Sequence, residues 1–180
     1  VSASALPFAE GWHTPAALTT DEVSGIVEAF EAAARRSLEA GFEVVEIHAA
    51  HGYLLSEFLS PRSNLRTDRY GGELKNRARA LLEVVAAVRA CVGPTFPVAV
   101  KLNSADFQKG GFAFEDSLQV AAWLEASSVD LIEISGGTYE QPRLIGLEGM
   151  EAVEEQNVAH STMMREAYFV DFALAMQEKV

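Results

Sequence analysis

Three short apolar runs, each followed by a segment of helical periodicity, constrain this chain more than anything else in it. The runs span residues 42–47, 97–102 and 129–135. Strands alternating with helices specify a parallel sheet whose strands are joined by right-handed crossovers. The runs lack clean polar–apolar alternation, so both faces of each strand are expected to be covered. Three parallel strands leave two bare edges, which small parallel sheets do not tolerate. Something must complete the sheet: more chain, a second copy, or residues missing from this sequence. The chain begins at Val1 rather than Met, which fits a fragment.

The helices announce themselves by period and punctuation. Thr19-x-x-Glu22 has capping-box spacing, and Val23, Ile26, Val27, Phe30, Ala34 and Leu38 recur behind it at helical intervals until Gly41. Residues 51–59 read as a short helix or turn stopped by Pro61. A polar loop over 60–72 ends in Gly71-Gly72. One long helix is then expected over 73–92, with Leu74, Ala78, Leu81, Leu82, Val85 and Val88 inward and Gly93-Pro94 ending it. Further helices are expected near 115–127 and over 164–179, the last with Phe169, Phe172, Ala173 and Met176 inward. Residues 1–18 show no period and read as loop, as do the 25 or so residues before the last helix. The whole, residues 1–180, reads as a single domain.

Charge narrows the partners. A formal net charge of -12 argues against nucleic acid and against anionic membranes, both of which require clustered Lys or Arg. No apolar run is long enough for a transmembrane span, and the N-terminus lacks a signal-peptide layout, so a cytoplasmic location is expected. The one cysteine, Cys91, excludes an intramolecular disulfide and a multi-cysteine metal site, and is expected to be a buried thiol.

The chemistry concentrates at the end of the first run, in Glu46-Ile47-His48-Ala49-Ala50-His51-Gly52-Tyr53. The C-terminal end of a parallel strand is where α/β proteins place their functional groups. Two imidazoles and a phenol supply donors and a proton source but no strong nucleophile, which suits polarising a ligand oxygen better than hydrolysis. His-x-x-His is half a metal site. The only other histidines, His13 and His160, have no neighbouring ligand motif, so no metal is expected.

Five blocks resemble the old yellow enzyme family of FMN-dependent NADH:flavin oxidoreductases, in that family's order. They are GFEVVEIHAAHGYLL (41–55), FLSPRSNLRTDRYGGELKNR (58–77), FPVAVKLNSADF (96–107), VDLIEISGGTYEQP (129–142) and REAYFVDFA (165–173). The resemblance implies an eight-stranded β/α barrel, of which this chain is the central part, about strands four to six with their helices. A full barrel takes about 250 residues. It further implies an ene-reductase: hydride passes from NADH or NADPH through FMN to the β-carbon of an activated alkene, such as an α,β-unsaturated carbonyl. His48 and His51 then correspond to the paired donors to the substrate carbonyl oxygen, and Tyr53 to the proton donor. Lys101 corresponds to the cation beside the flavin pyrimidine edge.

Arg66, Asp68, Tyr70, Asn76 and Arg77 read as a loop pinned by charged hydrogen bonds, and Tyr139 as a residue of the site's mouth. The family's segment for the flavin phosphate is absent, so this piece alone is expected to bind FMN poorly and to be inactive. Its partner is expected to be a small molecule, with the sheet completed by a homo-oligomer or by the missing barrel segments. Two alternatives stand beside this: a non-catalytic module assembling through its strand edges, and a dienoyl-reductase or amine-dehydrogenase relative on the same barrel.

Overall fold

The computed structural model describes residues 1–138 and 169–179. Among the described residues nine elements follow one another: α1 (Thr20–Glu39), β1 (Val45–Ala49), α2 (Leu54–Leu59), α3 (Leu74–Arg77), α4 (Arg79–Val92), β2 (Val98–Asn103), α5 (Phe114–Ala126), β3 (Leu131–Ser135) and α6 (Val170–Gln177). The strands form one parallel sheet in the order β1-β2-β3. His48 lies opposite Lys101, and Lys101 opposite Glu133. That register fixes which groups can meet.

The sheet differs from expectation in one respect. Only β2 is shielded along its length; β1 and β3 alternate. Ile47, Val100 and Leu102 point to one face and are buried, while Glu46 and Glu133 are exposed on the other. Phe42 and Val44, placed by sequence in the first strand, lie before it and are exposed. The physical reason is that one sheet face packs apolar side chains into the core, while the other carries the ionisable groups. Each Cβ alternates between the two.

α1 begins as its sequence dictates: Thr19 Oγ1 accepts from Glu22 N–H at 3.2 Å, and the Glu22 carboxylate accepts from Thr19 N–H at 2.8 Å. α1 packs against α4, whose Leu81, Val84, Val85 and Val88 are buried in the core. The expected single helix over 73–92 is two, broken at Ala78, whose ψ of -12° tightens the turn. Just before the break, Arg77 turns inward to bond the Leu59 and Gly72 carbonyls and Asp116. In α6, Met176 is buried and Phe172 packs on Phe107, Phe114 and Phe169, but Ala173 is exposed. The expected start of that helix, with Tyr139 and His160, lies outside the described residues. Cys91 is half-buried, not fully, with its thiol toward the Glu31 carbonyl.

The 60–72 loop is tied as its charges suggested. Arg66 forks onto Asp68 and also reaches the carbonyls of Ala3 and Leu18, fastening the N-terminal segment to the loop. The Arg66 contact holds the Asp68 carboxyl below its ordinary range. Tyr70 is buried with its hydroxyl on Glu83 at 2.8 Å, and the Asn64 amide spans the Phe58 and Tyr70 carbonyls.

Candidate active site

β1 delivers His48 on the polar face, and the chain then turns sharply. His51 sits at φ 61°, a left-handed conformation that a non-glycine residue holds only when its surroundings enforce it. The enforcement is visible: His51 N–H donates to Asn103 Oδ1 at 3.2 Å, and His51 pairs in a parallel bridge with Thr138. Asn103 is 1% exposed and its amide also donates to the Gly137 carbonyl and to Asp106. One side chain thus joins the ends of all three strands.

The turn brings His48, His51 and Tyr53 together. The His48 ring lies 5.2 Å from that of His51 and 5.0 Å from that of Tyr53, centroid to centroid. Tyr53, at the N-cap of α2, is 46% exposed, so its phenol is not packed in hydrocarbon. His48 Nδ1 accepts from Ala50 N–H at 3.3 Å. In the neutral ring that places the proton on Nε2, which is then a donor. The two imidazoles hold different partners, since His51 Nε2 lies 2.5 Å from Ser135 Oγ.

Burial pulls the pKa of both histidines down, helped for His48 by the neighbouring His51 and for both by Lys101. A histidine with a lowered folded-state pKa contributes stability above its unfolded pKa and loses it as pH falls through the folded value. The two histidines' share of the unfolding free energy is therefore expected to decline below pH 6.5, and His48→Gln to make the pH dependence less steep in that direction. Urea titrations at pH 7.5, 6.5 and 5.5 check this; identical slopes in both proteins would contradict it.

Lys101 stands beside His48 in register, on the same face. Its ammonium is engaged by Glu133 and lies 3.6 Å from Glu46, and the Glu133 contact chiefly raises its pKa. An ammonium has three donors, so a ligand oxygen could be taken beside these partners.

A cavity of about 400 Å³ opens beside this cluster rather than over it. Glu57, Ser63, Arg62 and Asp106 line it beneath the N-terminal loop, and it shares Gly52 and Thr138 with the turn around His51. Burial raises the pKa of both Glu57 and Asp106. Sequence reasoning passed over this cavity, and over Asn103 and Glu133. Both residues could have been found by counting in twos along a strand face: Asn103 follows Lys101, and Glu133 precedes Ser135. Among the described residues no cluster could hold a metal ion, and no helix is long and apolar enough to cross a membrane.

Comparison with known proteins identifies the family and the fold. The model of the NADH:flavin oxidoreductase / NADH oxidase family matches residues 4–164. An NADPH dehydrogenase of Bacillus pumilus is 41% identical over 156 residues, covering 86% of this chain and 45% of that protein. A 2-naphthoyl-CoA reductase in complex with 2-naphthoyl-CoA superposes with TM-score 0.81 at 30% identity, over 99% of this chain and 25% of that one. Morphinone reductase in complex with tetrahydroNAD gives 0.66 at 37% identity, over 74% and 41%. The chain spans less than half the length of the curated relatives it matches. Its three strands and their helices are part of a β/α barrel, as the sequence led one to expect.

Proposed function

The chain belongs to the NADH:flavin oxidoreductase / NADH oxidase family, and from that premise we propose that it carries the substrate-activating part of an ene-reductase, acting on an α,β-unsaturated carbonyl with NADH or NADPH as reductant. The observation that carries the reading is the convergence of His48, His51 and Tyr53 at one strand end. Two imidazoles suit the oxygen of a carbonyl: their N–H groups stabilise the negative charge that develops there when the conjugated β-carbon accepts hydride. The Tyr53 hydroxyl supplies the proton that the α-carbon then needs.

FMN is the family's flavin, and when bound it supplies the two-electron chemistry. The donor set fits it: a cation on the polar face, beside the imidazole pair, suits the electron-rich edge of a flavin. Lys101 is the residue that would hold that edge, with Glu46 and Glu133 fixing where its ammonium points. The apolar side of the sheet offers no comparable group.

The test uses the protein containing this segment, loaded with FMN. Under anaerobic conditions, 2-cyclohexenone is expected to restore the oxidised flavin absorbance after reduction by NADPH, with one equivalent of saturated ketone formed. A protein that takes up no FMN and only self-associates would favour the non-catalytic assembly module instead.

A further inference from the structure

His51 is the least conventional residue of the site, and its restraint comes from two strands that are not its own. Its main chain is pinned to β2 through Asn103 Oδ1, which leaves rotation of the side chain as its remaining freedom. That freedom is removed by β3: the ring reaches across the end of β2 and sets Nε2 2.5 Å from Ser135 Oγ. Ser135 is 7% exposed, so its hydroxyl has little water to turn to.

We propose that Ser135 is a positioning residue, which donates its hydroxyl proton to His51 Nε2 and so holds His51 as the Nδ1–H tautomer. The inference rests on the ene-reductase reading, in which His51 must offer an N–H to the ligand oxygen. A neutral imidazole has one N–H, and the partner of the other nitrogen decides where it sits. With Nε2 occupied by Ser135, only Nδ1 can serve the ligand. A hydroxyl can donate or accept, and donation is the choice that leaves His51 useful. His48 is arranged the other way, with Nδ1 accepting from Ala50 N–H and Nε2 carrying the proton. The two rings thus present opposite nitrogens, which lets rings only 5.2 Å apart and nearly perpendicular aim at one atom.

The experiment is ¹⁵N-histidine NMR of the FMN-loaded protein containing this segment, near pH 7.5, with His51→Gln identifying the resonances. The expected result is a protonated Nδ1 and a bare Nε2 at His51. Ser135→Ala should release the ring toward Nε2–H and raise KM for 2-cyclohexenone about tenfold, the worth of one such hydrogen bond. Ser135→Thr keeps the hydroxyl and should restore both the tautomer and KM. A wild-type His51 protonated on Nε2 would overturn the proposal, as would a Ser135→Ala protein with unchanged tautomer and KM. The tautomer is read without turnover. A protein that reduces no alkene would therefore defeat the ene-reductase reading, while the wild-type spectrum would still decide the role of Ser135, even if Ser135→Ala did not fold.

Discussion

Tyr53→Phe is expected to slow alkene reduction by roughly 10²–10⁴-fold, the usual contribution of a positioned general acid. The phenyl ring keeps the packing against His48, whose ring lies 5.0 Å away, and removes only the hydroxyl. The loss should appear in one half-reaction. Stopped-flow mixing of the reduced variant with 2-cyclohexenone should show slow return of flavin absorbance, while mixing of the oxidised variant with NADPH should run as in the parent. An unchanged alkene rate would remove Tyr53 from the mechanism and leave the imidazole pair to act with solvent as the proton source.

The second large effect concerns the 60–72 loop. Gly71→Ala is expected to destabilise the protein by about 3 kcal/mol or more, because overpacking against rigid atoms cannot be relieved by a rotamer change. A Cβ at Gly71 would lie 2.1 Å from the Arg66 carbonyl oxygen and 2.6 Å from its carbon, and Arg66 is itself held by Asp68 and the Ala3 carbonyl. The neighbouring Gly72→Ala makes the comparison: φ there is 80°, but the space is open, so a smaller cost of about 1–2 kcal/mol is expected. Urea unfolding followed by circular dichroism separates the two. A Gly71→Ala midpoint equal to the parent's would mean that the loop does not approach Arg66 as described.

Local signals were readable in the sequence and long-range ones were not. The Thr19–Glu22 capping box lies within four residues, so its chemistry determines it without help from the fold. His48, His51 and Tyr53 are nearly as close in sequence, although the turn that gathers them is held by Asn103 and Thr138. The grip of Ser135 on His51 joins residues 84 apart in sequence, and only the register of three strands reveals it. Glu46 and Glu133 sit in runs that look buried because the residues around them are apolar; the faces separate only once the pleat is known. The N-terminal 18 residues have no period, yet Ala3 is fully buried and the segment roofs a cavity. Its order comes from contacts such as Leu65 N–H on Ser4 Oγ and Arg66 on the Ala3 carbonyl, which no local pattern announces.

That cavity gives the account its sharpest rival location. Arg62, Ser63 and Gln108 line it together with Gly52 and Thr138, which it shares with the turn around His51. A crystal structure of the FMN-loaded protein with a saturated cyclic ketone bound therefore asks the central question most directly. The oxygen is predicted within about 3 Å of a ring nitrogen of both His48 and His51, with the Tyr53 hydroxyl facing the α-carbon. A ketone oxygen seated on Arg62 or Ser63, with both imidazoles out of reach, would contradict the account.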